Sequence, residues 1–174
     1  TRYWRDWSSD VCSSDLVFKD PPDHTRLRRL ISKSFTSRAV IQIQARIDAI
    51  VDELMGRCEE KGSFDIVEDI AFPLPTMVIA ELLGAPLEDR QRFRNWSDEI
   101  SPLIFGSFDS TARRATAESA ILNFADYFGY LVRRYEAEPA DNLITALIEA
   151  RDSRDALSHE EVIATCMLVL FAGH

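Results

Sequence analysis

The hydrophobic pattern along most of this chain has the period of an amphipathic helix. Residues 36–61 carry apolar positions at helical spacing, and Gly62 follows them as a helix stop. Residues 68–84 are apolar on most sides, which predicts a central, buried helix. Two prolines, Pro73 and Pro75, should kink or split that helix, because proline lacks the N–H of the helical ladder.

The second half of the chain also has a helical pattern. Further helices are predicted over residues 87–103, 109–136, 141–151 and 158–174. Asp141 is the expected cap of the third of these helices, and Ser158 with Glu161 forms the expected capping box of the fourth. Residues 63–67 alternate briefly and could form one short strand. We therefore predict a mainly α fold of about seven helices with at most one short strand.

A helix over residues 22–33 would place three groups of side chains on different faces. His24 and Arg28 are one turn apart and border the apolar arc. Two hydrogen-bond donors at a buried edge predict an acidic group opposite them. The apolar arc is Leu27, Leu30 and Ile31, and the basic arc on roughly the far side is Arg26, Arg29 and Lys33.

Composition narrows the class of protein. The chain has 174 residues, of which 46% are hydrophobic and 28% charged, and this composition is typical of a globular domain. Its net charge of −9 argues against general nucleic-acid binding, which needs a basic surface. No apolar run reaches the length of a membrane span. The three cysteines, Cys12, Cys58 and Cys166, have no paired spacing, which favours a reducing cytoplasm and no structural metal.

Both ends of the chain have unusual sequence. Residues 1–16 hold two tryptophans and a repeated Ser-Ser-Asp without a sustained period. We interpret them as non-native, adapter-derived sequence, with a disordered native N-terminus as the alternative. The apolar helix that runs to His174 has no cap or polar tail, so we expect the natural chain to continue beyond it.

Several motifs occur in series along residues 17–174. They are Asp20-Pro-Pro-Asp-His-Thr-Arg-Leu-Arg-Arg, Phe35-Thr-Ser-Arg, Phe72-Pro-Leu-Pro, Ile79-Ala-Glu-Leu-Leu-Gly-Ala-Pro86 and Leu170-Phe-Ala-Gly-His174. In order and spacing they resemble the soluble bacterial cytochromes P450. The resemblance implies that residues 17–174 are the central part of a P450 domain, from the helix that meets the haem propionates to the middle of the distal long helix. The implied parent is a haem-thiolate monooxygenase that contains heme b and uses O2 and a small organic substrate.

The resemblance also assigns roles to particular residues. His24 and Arg28 match the pair that hydrogen-bonds haem propionates in this family, and Ala172 and Gly173 match the small residues of the distal segment. Leu168 and Phe171, with Ala172, are expected to face the substrate cavity, although plain core packing is the alternative for each. His174 matches a variable position, not a metal ligand.

The family's central chemistry has no match in this sequence. The acid and threonine that serve oxygen protonation would follow His174, so the chain holds no catalytic residue by resemblance. Neither the Cys loop that ligates iron nor a Glu-x-x-Arg motif occurs in it. Because the thiolate ligand favours O–O cleavage, we expect this polypeptide alone to be inactive.

Two further questions stay open at the level of sequence. The basic arc of Arg26, Arg29 and Lys33 could dock an acidic ferredoxin-type electron donor or be an ordinary solvated helix face. A helical ligand-binding or regulatory domain is the alternative class, although no basic helix-turn-helix segment is visible. A P450 relic that never binds haem is a third possibility.

Overall fold

The computed structural model describes residues 15–35, 37–104, 111–150 and 155–173. Within these ranges the chain forms seven α-helices and no strand, which confirms the predicted mainly α class. The helices are α1 Asp23–Ser34, α2 Ser37–Lys61, α3 Pro73–Leu83, α4 Arg90–Ile104, α5 Thr111–Ala137, α6 Leu143–Ile148 and α7 His159–Ala172. Shorter turns of helix lie at Leu16–Phe18, Ile66–Ala71 and Leu87–Asp89.

Helix α5 lies at the centre and packs against α4, α6 and α7. Its contact with α4 is aromatic: the rings of Phe93 and Tyr127 meet edge to face at 5.2 Å between centroids, and those of Trp96 and Phe124 lie at the same distance. Such pairs stabilise a fold beyond the area that they bury. Phe128, also on α5, is fully buried in this cluster. The aromatic contacts therefore stabilise the packing of α4 against α5.

A smaller apolar cluster joins α2 to α3. Ile50 and Leu54 on α2 pack with Met77 on α3, and all three are buried. The predicted break in residues 68–84 is confirmed: a π-helical turn ends at Ala71, and α3 begins at Pro73. Proline is suited to this first helical position because the N–H that it lacks would have no helical acceptor there.

Residues 63–67, where one short strand was possible, are not a strand. The backbone is extended at Asp65 and then enters the π-helical turn Ile66–Ala71. The Asp65 carboxylate accepts hydrogen bonds from Val67 N and Glu68 N at 2.8 and 3.0 Å. This side-chain cap satisfies the first N–H groups of a helical turn, and so favours the turn over a strand.

Two predicted helix starts have different outcomes. The capping box of α7 is confirmed, with Ser158 Oγ accepting from Glu161 N and the Glu161 carboxylate accepting from Ser158 N. The cap predicted for α6 is wrong, since Asn142 rather than Asp141 is the N-cap, and its Oδ1 accepts from Thr145 N at 2.9 Å. Asparagine and aspartate cap about equally well, so the sequence does not separate neighbours of this kind.

Some predictions fall wholly or partly outside the described residues. The loop predicted between α4 and α5 includes residues 105–110, which are not described, whereas Pro102 lies inside the last turns of α4. Residues 1–14 are also outside the described ranges. Of the segment interpreted as non-native, Asp15 caps the short turn Leu16–Phe18, and Leu16 packs against the main core. The boundary between residues 16 and 17 stays a prediction.

Candidate cofactor-binding site

Helix α1 presents a buried face and two polar edges. Leu27, Leu30 and Ile31 are buried, as the pattern predicts. His24 is half-buried and Arg28 is exposed, and the two side chains lie one turn apart beside the buried face. His24 thus lies at the border between core and surface and Arg28 on the exposed side of it, and the role of the pair stays a prediction.

The side chains of His24 and Arg28 have no hydrogen-bond or ion-pair partner among the described residues. Other arginines do pair within this acidic chain. Arg94, for example, donates two hydrogen bonds to Glu68, at 2.7 and 3.0 Å, and Arg46 donates to Glu81 at 2.7 Å. Two adjacent donors that no described residue satisfies are suited to hold an anionic group, because hydrogen bonds to a carboxylate are strong.

Arg26 does not lie on an open helix face, which both interpretations of the basic arc would require. Its guanidinium donates to Asp155 at 3.0 Å and to the Glu161 carboxylate, and its side chain is 28% exposed. Arg26 lies only roughly 90° from the middle of the buried arc at 100° per residue, on the flank opposite His24 and Arg28. The prediction missed this contact because both partners follow in the chain by more than a hundred residues.

The electrostatics of this cluster follow from the same contacts. Burial alone would lower the pKa of Arg26, but hydrogen bonds and attraction from Glu161 and Asp155 outweigh it and raise that pKa. The backbone N–H of Ala156 donates a hydrogen bond to the Asp155 carboxylate and holds its pKa below its usual range. Arg26 adds to this effect. Arg26 and Asp155 therefore both stay charged at neutral pH. Arg29 and Lys33, the other two members of the predicted basic arc, are exposed.

The predicted distal residues lie at the other end of α7. Leu168 and Phe171 are half-buried, and Phe171 packs against the main core. Ala172 and Gly173 are exposed at the end of the helix. Since a helix rises about 1.5 Å per residue, Ala172 lies roughly 16 Å along α7 from Glu161, where α1 is attached.

Gly173 has a packing role that the sequence did not indicate. A side-chain Cβ at this position would lie 1.8 Å from Ile79 Cδ1 of α3, so the space is already filled. The backbone of Gly173 is at φ −99°, a region open to any residue. Glycine is therefore favoured here by close approaches, of the Ile79 side-chain end from α3 and of the Val169 carbonyl oxygen at 2.9 Å, and not by an unusual backbone conformation.

Comparison with known proteins identifies the family. The model of the family described as "Cytochrome P450" matches residues 4–174. A cytochrome P450 of Bacillus subtilis (strain 168) is 40% identical over 167 residues, covering 96% of this chain and 40% of the relative. The chain belongs to the cytochrome P450 family. A vitamin D(3) 25-hydroxylase of Pseudonocardia autotrophica is 39% identical to this P450 chain, covering 91% of the chain and 38% of the relative.

Solved P450 structures have the same arrangement of helices. The ligand-free structure of P450 TbtJ1 is 37% identical and superposes with a TM-score of 0.82, covering 92% of this chain and 42% of that one. The structure of P450BioI in complex with a hexadec-9Z-enoic acid-ligated acyl carrier protein is 30% identical, with a TM-score of 0.85, and covers 100% and 44% of the two chains. The chain thus spans about two fifths of the length of the curated relatives that it matches.

Family membership implies a haem cofactor in the parent protein, against which the donors of α1 can be compared. P450 proteins contain haem, and haem carries two propionate carboxylates. The donor set fits these groups: His24 and Arg28 are adjacent, they lie at the border of a buried face, and no described residue occupies them. Within the described ranges, no group of three or more His, Cys, Asp or Glu side chains is placed to hold a metal ion. None of the helices described combines the length and apolar character that a bilayer crossing requires.

Proposed function

We propose that this chain is the central part of a haem-thiolate monooxygenase with heme b as its cofactor. The parent would insert one oxygen atom from O2 into a small organic substrate, with electrons from a redox partner, in the cytoplasm. The observation that carries the proposal is the donor pair His24 and Arg28, which has no partner among the described residues, on a helix whose other flank is paired with Asp155 and Glu161. Haem, when bound, supplies the site of O2 activation.

The chain's own residues would orient the cofactor and shape the space beside it. Arg28 would donate hydrogen bonds to one propionate, and His24 would donate from its ring N–H to the neighbouring one. At the other end of α7, Leu168, Phe171 and Ala172 would line the substrate cavity, and Ala172 and Gly173 would leave room beside the distal face. The printed names of the relatives, such as a vitamin D(3) 25-hydroxylase and a cyclomarin C epoxidase, differ in substrate. The proposal therefore extends only to the reaction class.

The docking surface for the electron donor is a smaller proposal. Arg29 and Lys33 are exposed, whereas Arg26 is turned toward Asp155 and Glu161, so the proposed surface for an acidic ferredoxin-type protein now consists of Arg29 and Lys33. Attraction between a basic patch and an acidic partner raises the rate of association and is screened by salt. Reversing both charges should slow reduction of the full-length enzyme at low salt. Reduction rates that are the same in both forms and independent of ionic strength would exclude this surface.

A spectroscopic comparison tests the proposed function. The reduced, carbon monoxide-bound spectrum should show a thiolate-type Soret band in the full-length protein that contains this chain. The 174-residue chain alone should show none, because its sequence has no P450 Cys loop. A full-length protein without such a band would instead indicate a relic that does not bind haem productively. A thiolate-type band from the chain alone would contradict its expected inactivity.

A further inference from the structure

Glu161 takes part in two contacts at the start of α7, the capping box and an ion pair with Arg26. One carboxylate oxygen accepts from Ser158 N at 2.9 Å and completes the capping box, while the other accepts from the Arg26 guanidinium. The side chain of Glu161 is only 12% exposed, so this contact is largely shielded from water. Asp155, just before the helix, holds the same guanidinium at 3.0 Å. Arg26 of α1 is therefore fixed to the start of α7 by two carboxylates, one in its first turn and one just before the helix.

A second contact holds the opposite end of α1. Ser34, in its last turn, donates from Oγ to the carbonyl of Ala146 in α6 at 3.0 Å, and its side chain is buried. A helix attached at one end only could turn about its axis and slide. Attachment at Arg26 and at Ser34, together with the buried apolar face between them, sets both the rotation and the position of α1.

The rotation of α1 decides where its remaining polar side chains point. His24 and Arg28 are each two residues from Arg26, which places them on the opposite flank of the same short helix. We propose that Arg26 is a positioning residue: by holding α1 to the start of α7, it aims His24 and Arg28 at the cofactor. This inference rests on the proposed function, since it concerns the donors assigned there to the haem propionates. Arg26 itself touches neither cofactor nor substrate in this account.

The chain offers substitutions that separate charge from capping. Glutamine at the third helical position still accepts from the N-cap backbone, so Glu161→Gln removes the ion pair and keeps the capping box. Arg26→Gln removes the other partner. Arg114→Gln is the matched control, because Arg114 pairs at 3.0 Å with Glu118 on the solvent-facing side of the same helix and links no two elements. All variants are made in the full-length protein, with haem affinity measured by titrating the apoprotein and stability by urea unfolding of the same apoprotein.

We expect Arg26→Gln and Glu161→Gln each to weaken haem binding by about threefold to tenfold. The double variant should be little weaker than either single one, since residues in contact act non-additively. Arg114→Gln should leave haem affinity unchanged. Additive losses would show that the two side chains do not act as a pair and would overturn the proposal. A lower urea midpoint with unchanged haem affinity would also overturn it, because Arg26 would then be structural only.

A further variant distinguishes failure of this inference from failure of the proposed function. If His24→Ala with Arg28→Ala weakens haem binding and Arg26→Gln does not, the positioning role is wrong and the haem site stands. If neither change weakens haem binding, the haem site is wrong and the positioning role falls with it. Arg26→Lys adds a test of geometry: lysine keeps the charge but lacks the planar fork of arginine, so only partial recovery of haem affinity is expected.

Discussion

Replacement of Gly84 by alanine should destabilise the chain strongly, because two features of the structure act at this residue. Gly84 ends α3 in the left-handed conformation, at φ 73° and ψ 22°. An added Cβ would lie 2.5 Å from Asn142 Nδ2 and 2.7 Å from Tyr135 Oη, closer than such atoms normally approach. Both neighbours have structural roles: Asn142 caps α6, and Tyr135 donates to the Gly84 carbonyl at 2.6 Å.

The size of the effect follows from these contacts. An alanine in the left-handed conformation costs roughly 1–2 kcal/mol. Displacing the Tyr135 hydroxyl loses a hydrogen bond worth about 0.5–1.5 kcal/mol, and moving Asn142 weakens a cap worth about 1 kcal/mol. The expected loss in the free energy of unfolding is therefore about 2–4 kcal/mol. That is a large share of the stability of an ordinary domain.

Gly62 provides a matched control for backbone strain. It ends α2 at φ 71°, almost the same conformation, but nothing lies within 4 Å of a Cβ placed there. Gly62→Ala should cost only the backbone strain, roughly 1–2 kcal/mol. Urea unfolding of the chain, followed by circular dichroism, measures both variants. Equal losses for the two would refute the contacts assigned to Gly84 and leave only its backbone conformation as the reason for glycine.

Three further predictions concern other parts of the fold. Hydrogen bonds and attraction from Arg94 hold the pKa of Glu68 below its ordinary value of 4.5. Such a carboxylate adds stability that is lost as pH falls through its folded-state pKa. Glu68→Gln should therefore make the urea midpoint less sensitive to acid below about pH 4.5. An unchanged acid dependence of the midpoint would argue against the pair. Ser158→Ala should cost about 1 kcal/mol through loss of the α7 cap, whereas Ser158→Thr should retain most of it; equal midpoints for the two would count against the cap. Phe124→Ala should lower the free energy of unfolding by about 3–5 kcal/mol through the cavity left between α4 and α5. The control Leu122→Ala, at an exposed position of the same helix, should change it by no more than about 0.5 kcal/mol. Similar losses in the two variants would contradict the assigned core.

The helices were predictable because their signals are local. The apolar arc of α1, the proline break before α3 and the Ser158–Glu161 capping box each depend on residues within one or two turns. Each signal therefore survives in the sequence without knowledge of the tertiary fold. The alternation at residues 63–67 was a weaker signal, since five residues fit a strand and a capped turn about equally well.

The contacts of Arg26 could not be predicted in the same way. Helical geometry gave its angle on α1 but not which side chain would meet it there. Asp155 and Glu161 lie close to Arg26 in space but far from it in sequence. A solvated basic face and a face with such an ion pair therefore have the same sequence pattern. Gly173 illustrates the same limit, because its close neighbour Ile79 belongs to a helix far earlier in the chain.

Haem affinity of the full-length protein with His24→Ala and Arg28→Ala tests the central claim most directly. Hydrogen bonds to charged groups such as carboxylates are worth about 1.5–3 kcal/mol, so loss of both should weaken haem binding at least tenfold. His159→Ala with Arg57→Ala is the matched control, because these two side chains pair with Glu136 and Glu53 of their own chain. We predict a large loss in the first variant and none in the control. Equal haem affinity in the two variants would contradict the assignment of His24 and Arg28 to the haem propionates.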